Sequence, residues 1–151
     1  MIVTGIAATV HADLGGHVLL GGAVDTSQRV KLCFEHGREI GEVTCLHYLG
    51  NDLFVTAETD DADALKLDYF SVAGRPLERS QHGKFWHVTR FRLTEISLVK
   101  IPANDRCVVI DRKPSEPMRK FIKMQNQQHG LFIAAFGALS RGLKEVARHV
   151  S

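Results

Sequence analysis

The feature that most constrains this chain is a series of short apolar stretches, each cut off before it could build a helix face. Val30, Leu32 and Phe34 alternate with Lys31, Cys33 and Glu35. A period of two marks a strand with one buried face. Leu49-Gly50-Asn51-Asp52 reads as a turn into a second strand, LFVTA at 53–57. Two more extended runs follow at 85–91 and 95–101, and CVVI at 107–110 adds a short one. His82 and His87 flank GKFW in an expected hairpin. Strands at this spacing predict a mostly antiparallel sheet or barrel. One stretch differs. DDADALKLDYF, 60–70, opens on acids that suit a helix N-terminus, so a short helix is expected there.

The texture changes at Lys113-Pro114. Ser115 can cap a helix, with Pro117 in its first turn. Beyond Gly130, the residues Leu131, Ala134, Ala135, Ala138, Leu139, Gly142, Leu143 and Val146 recur at helical spacing. This predicts an amphipathic helix with a small-residue face, suited to a core or an interface; a helix lying on a membrane surface is the other reading. Charge splits at the same place. Residues 1–111 hold 11 basic and 15 acidic side chains, and residues 112–151 hold 8 and 2. The expected organisation is a β-barrel core over 1–111 and a basic helical segment over 112–151. That segment is either a solvated face or a tail for an acidic partner or nucleic acid.

Composition narrows the class. A chain of 151 residues is long enough for one core without covalent staples. The near-balanced total charge, +2, disfavours a dedicated nucleic-acid binder. Three cysteines point to a reducing compartment and away from a disulfide scaffold. The N-terminal stretch lacks a basic start before its apolar residues, so no secretory signal is expected. The longest apolar run, LFIAAFGAL, is far short of the ~20 residues a membrane helix needs.

Three residues invite chemistry. His36 ends the VKLCF strand before Gly37, where an imidazole can act as a general base; a structural histidine is the plainer reading. Ser71, in YFSVAG, is placed by its neighbours in a tight turn that could expose the hydroxyl near backbone N–H groups, or it is a simple turn serine. Glu95 starts an apolar strand and needs a partner, either a histidine that it orients or Arg90 or Arg92. Cys33, His36, Cys45 and His47 have spacings only loosely like those of a zinc site. No GxSxG, P-loop or HExxH motif is present.

The order and setting of these residues resemble the prohead (capsid maturation) serine proteases of tailed bacteriophages, whose fold is similar to the herpesvirus assemblins. Four segments carry the resemblance: RVKLCFEHGREIGEV, DLFVTAETDD, YFSVAG and LTEISLVKIPAND. The last is the most specific. It matches the family's Leu-x-Glu-Val-Ser-Leu-Val, a short gap, then Pro-Ala-Asn. The resemblance implies His36 as general base, Ser71 as nucleophile and Glu95 as third member. Ser97 and the Pro102-Ala103-Asn104 turn are expected to be structural. Many relatives place Gly two residues after the serine, whereas this chain reads Ser-Val-Ala-Gly. Amides of Val72, Ala73 and Gly74, with help from Arg75, are therefore the expected oxyanion donors. The implied fold is a compact antiparallel β-barrel ringed by helices, α+β in class, with a helical C-terminal segment. The implied substrates are the scaffold protein, the scaffold-like part of the major capsid protein and the chain's own tail. They would be cut inside the prohead in the host cytoplasm. No cofactor or metal is implied, and a homo-oligomer is expected. An inactive capsid- or scaffold-associated protein that keeps the fold is the alternative.

Overall fold

The computed structural model describes residues 1–116 and Lys120. Met1–Lys113 form one unit, and the second, from Pro114 on, lies almost wholly outside the described residues. The helices expected over 115–149 fall there as well.

Eight strands follow in order: β1 (Ile2–Ala8), β2 (His17–Leu19), β3 (Lys31–Phe34), β4 (Arg38–Leu49), β5 (Asp52–Thr59), β6 (Tyr69–His82), β7 (Phe85–Val99) and β8 (Val109–Lys113). They form one sheet in the order β2-β7-β3-β4-β5-β1-β8, with β6 on the other edge of β7. β7 organises the site. Along one edge it pairs in parallel with β2 and then β3, and along the other it runs antiparallel to β6. The runs expected at 85–91 and 95–101 are thus one long strand that two parallel neighbours share.

The expected compact antiparallel barrel ringed by helices is overturned. Strand accounts for about 60% of the structure, curled into a half-barrel, and within Met1–Lys113 the one short helix is the 3-10 turn at Ala64–Lys66. The physical reason lies in the core. Val3, Leu32, Leu53, Val55, Phe70, Ile96 and Leu98 are fully buried, and all come from the sheet itself. The sheet supplies most of its own core, with Val24, Val30, Ala64 and Cys107 added from the connections. The helix expected at 60–70 shrinks for a related reason. Asp61 accepts the backbone N–H groups of Asp63 and Ala64, as the acidic start suggested. The chain is already extended at Leu67, and Tyr69 pairs with Val99. Pairing to β7 and burial of Phe70 override local helix preference.

Phe70 also sets the direction of its neighbour Ser71. A side chain at Gly5 would meet the Phe70 ring at 2.9 Å and the Val108 carbonyl at 2.2 Å. Glycine there lets β6 and the Val108 segment close on β1. Burying the Phe70 ring stabilises the start of β6 by about 1.5–3 kcal/mol. Because side chains alternate, Phe70 inward places Ser71 outward.

Candidate active site

The face of β3, β6 and β7 opposite Leu32, Phe70, Ile96 and Leu98 carries the site. Register places Ser71 opposite Ser97 and Ala73 opposite Glu95 across β6 and β7, and Cys33 beside Ser97 across β3 and β7. Their strand neighbours Leu32, Phe70, Ile96 and Leu98 face the core. Ser71, Cys33 and Ser97 are nonetheless almost inaccessible, since Ser97 has 0% and Ser71 4% of its surface exposed.

His36 reaches this face from the turn between β3 and β4. Glu35 and His36 have φ of 49° and 57°, and the Gly37 N–H donates to the Phe34 carbonyl at 3.0 Å. Two successive left-handed residues define the tight turn usually written Asn-Gly. Here both carry full side chains, which costs of order 1 kcal/mol or more each. The surroundings hold the turn in place. The Glu35 N–H donates to the Leu98 carbonyl, the Lys100 N–H donates to the Glu35 carboxylate, and the His36 N–H donates to Ser97 Oγ at 3.3 Å. On the exit side, Arg38 bonds Asp61. The strained turn carries the imidazole back over β7.

The three sequence candidates meet there. His36 Nε2 lies 3.0 Å from Ser71 Oγ, and His36 Nδ1 lies 2.9 Å from Glu95 Oε1. A carboxylate only accepts, so Nδ1 carries the proton and Nε2 is left as an acceptor for the Ser71 hydroxyl. Glu95 pairs with neither arginine considered for it; Arg90 bonds Glu78 instead. Burial pushes the Glu95 carboxyl up, but hydrogen bonds to His36, Ser97 and Cys33 outweigh it, so it sits below the ordinary glutamate range. The Cys33 thiol beneath it is pushed up by burial and by the Glu95 charge.

Ser97 is the residue the sequence undervalued. Its hydroxyl donates to Glu95 Oε1 at 2.9 Å while accepting the His36 backbone N–H. One buried oxygen thus fixes both the carboxylate and the turn that bears the histidine. The Glu-x-Ser spacing was the available signal, since i and i+2 share a face of a strand.

Other expectations fare differently. Ser71 is not in a turn, because β6 runs through it from Tyr69 to His82. Val72, Ala73, Gly74 and Arg75 are all strand residues. Val72 packs on the core, the Ala73 carbonyl accepts the Thr94 hydroxyl, and Gly74 lies against the Arg92 carbonyl and Phe91 ring. Pro102-Ala103-Asn104 borders the site. The Asn104 amide donates to Thr9 Oγ1 and the His11 carbonyl. A narrow cavity of about 40 Å³ beside Ser71 is lined by Ala7, Ala8, Leu19, Val72, Ala103 and Cys107, among others. The zinc spacings do not converge: Cys33 is buried against Glu95, and Cys45 is exposed with Sγ 3.8 Å from His47. Among the described residues, no three His, Cys, Asp or Glu side chains are placed to hold a metal. His82 and His87 stack at 4.3 Å on the β6–β7 hairpin. Among the described residues, no helix is long and apolar enough to cross a membrane.

No family model matches the chain, and no curated protein matches it. Among solved structures, the KSHV protease in complex with a hexapeptide phosphonate inhibitor is similar over 84% of this chain and 76% of the other, with 12% identity and a TM-score of 0.52. Two structures of the Kaposi's sarcoma-associated herpesvirus protease with allosteric inhibitors also match at 12% identity. Their TM-scores are 0.45 and 0.43, over 85% of this chain and 92% of the other. A likeness at this identity is one of fold. The chain has an assemblin-like fold, that of a herpesvirus protease, and on it stands a serine–histidine–glutamate constellation.

Proposed function

We propose that this chain is a serine endopeptidase of capsid maturation, of the tailed-phage prohead type. The observation that carries the reading is the unbroken path Glu95–His36–Ser71, with both links at hydrogen-bond distance. The four sequence segments that resemble prohead proteases support the finer assignment, and the herpesvirus-protease fold supports the coarser one.

In this reading Ser71 Oγ attacks a peptide carbonyl carbon and its proton passes to His36 Nε2. The tetrahedral adduct collapses, His36 gives that proton to the leaving amine, and an acyl-Ser71 ester remains. Water, deprotonated by His36, then hydrolyses the ester. Glu95 holds the imidazole in the reactive tautomer and stabilises the imidazolium. The proposed substrates are the scaffold protein, the scaffold segment of the major capsid protein and the chain itself, cut within the prohead of an infected cell. An inactive protein that merely keeps the fold has no need of a strained turn to bring His36 onto Ser71. The test is co-incubation with the scaffold, followed by intact mass. Wild type should cut it, and Ser71→Ala should lose about 10⁴-fold or more of the rate. Equal processing by both would remove Ser71 from the mechanism.

A further inference from the structure

The β6–β7 hairpin differs in charge from the rest of the unit. Between residues 75 and 92 lie five cations, Arg75, Arg79, Lys84, Arg90 and Arg92, and one acid, Glu78. The remainder of 1–111 holds 6 basic and 14 acidic side chains. Three of the five cations are engaged. Arg90 bonds Glu78, Arg79 stacks over Trp86, and Lys84 lies over Phe85.

Arg75 and Arg92 are different. They are paired directly across β6 and β7, both exposed, and neither guanidinium has a hydrogen-bond or ion-pair partner among the described residues. Like charges placed opposite each other weaken a sheet. Their position gives that cost a use. Register runs Ser71/Ser97, Ala73/Glu95, Gly74/Leu93, Arg75/Arg92. Leu93 faces the core, so the Arg75/Arg92 pair returns to the face that carries Ser71 and Glu95. Lys31, the cation beside Glu95 on β3, is already bonded to Glu39. Among the described residues, Lys100 also lacks a side-chain partner, but it lies at the opposite end of β7, by the His36 turn, so the two guanidiniums are the uncommitted positive charge on the Arg75–Arg92 side of the site. Four residues of strand from Ser71 is about 13 Å.

The geometry points to a carboxylate-binding subsite, formed by Arg75 and Arg92, that takes an Asp or Glu side chain of the substrate three to five residues from the scissile bond. The subsite rests on the reading of Ser71 as nucleophile. Two guanidiniums on one carboxylate offer several charge-assisted hydrogen bonds, and the anion removes their mutual repulsion. Since both side chains are exposed, the contact weakens in salt.

The experiment is cleavage profiling of a random peptide library by the full chain, with products sequenced by mass spectrometry. Wild type should enrich Asp and Glu at one position three to five residues from the cut. Replacing that residue by Gln in a single peptide should raise KM about tenfold with little change in kcat, and 0.5 M salt should shrink the difference. R92E, which leaves Arg75 in place, should abolish the preference while still cutting, and R92Q should weaken it. Cleavage with no acidic preference, or a preference that survives R92E unchanged, overturns the subsite alone. No cleavage of any peptide by wild type overturns the protease reading, and the subsite with it.

Discussion

The two halves of the β6–β7 pair share two strands and have opposite chemistry. At the Ser71–Ser97 end, two nearly inaccessible hydroxyls, a partly buried carboxylate and an exposed imidazole are tied into one network. Beyond Gly74 most side chains of the same two strands are exposed, and five of the six Lys, Arg, Asp and Glu residues are cationic, although Val88 and Phe91 still face inward. The seam is a register shift between Ala73 and Gly74. The difference shows what each end requires: placement to within tenths of an ångström where atoms react, and long mobile side chains where a chain is gripped.

The comparison can be broken first at the Ser71–Ser97 end. Ser97→Ala removes one hydroxyl that serves both Glu95 and the His36 turn. A hydrogen bond to a charged group contributes about 1.5–3 kcal/mol, so kcat should fall roughly 10- to 100-fold with KM nearly unchanged. Ser97→Thr should restore part of it. A loss seen only in KM would place Ser97 outside the positioning network.

The seam comes second. A side chain at Gly74 would stand 2.1 Å from the Arg92 carbonyl and 2.7 Å from the Phe91 ring. Gly74→Ala should therefore cost about 1–3 kcal/mol in urea unfolding, because backbone cannot yield as a side chain can. Gly50→Ala serves as control for a glycine in open space, although its φ of 61° adds its own strain. A smaller loss at Gly74 than at Gly50 would mean that the close approach is relieved.

The smallest effect concerns pH. The Glu95 carboxyl is held below its ordinary value, so its contribution to stability is full above the unfolded value of about 4.3. It is lost as pH falls through the lower folded value. Urea midpoints of wild type should thus drop more steeply than those of Glu95→Gln once the pH is below that unfolded value. Parallel pH profiles would show that the network does not favour the charged carboxylate.

Much of the fold and site is legible in the sequence, and the failures have specific causes. Period two marks β3, because local alternation reports directly on a half-buried strand; the Leu49–Asp52 turn marks β5, and GKFW marks the hairpin. Ser71, His36 and Glu95 stand out by residue type and by resemblance, and they do come together. Ser71 is misread into a turn because Gly74 looks like a turn glycine; its real cause, contact with Arg92 and Phe91, lies 17–18 residues along the chain. The short helix expected within 60–70 is cut to one 3-10 turn because pairing to Val99 outweighs local preference beyond Leu67. The ring of helices is a property of the resembled fold, carried over without residues to support it. Ser97 is read only as structural because a hydroxyl in a strand shows its tie to the site only once its two partners are in place.

The most direct measurement of the central claim is labelling with a fluorophosphonate, which forms a phosphonyl ester only with an activated serine, followed by peptide mapping. The account predicts one adduct, on Ser71, with its rate of formation reduced about 10³-fold or more in His36→Ala. No adduct on Ser71, or labelling at the same rate without His36, would contradict it.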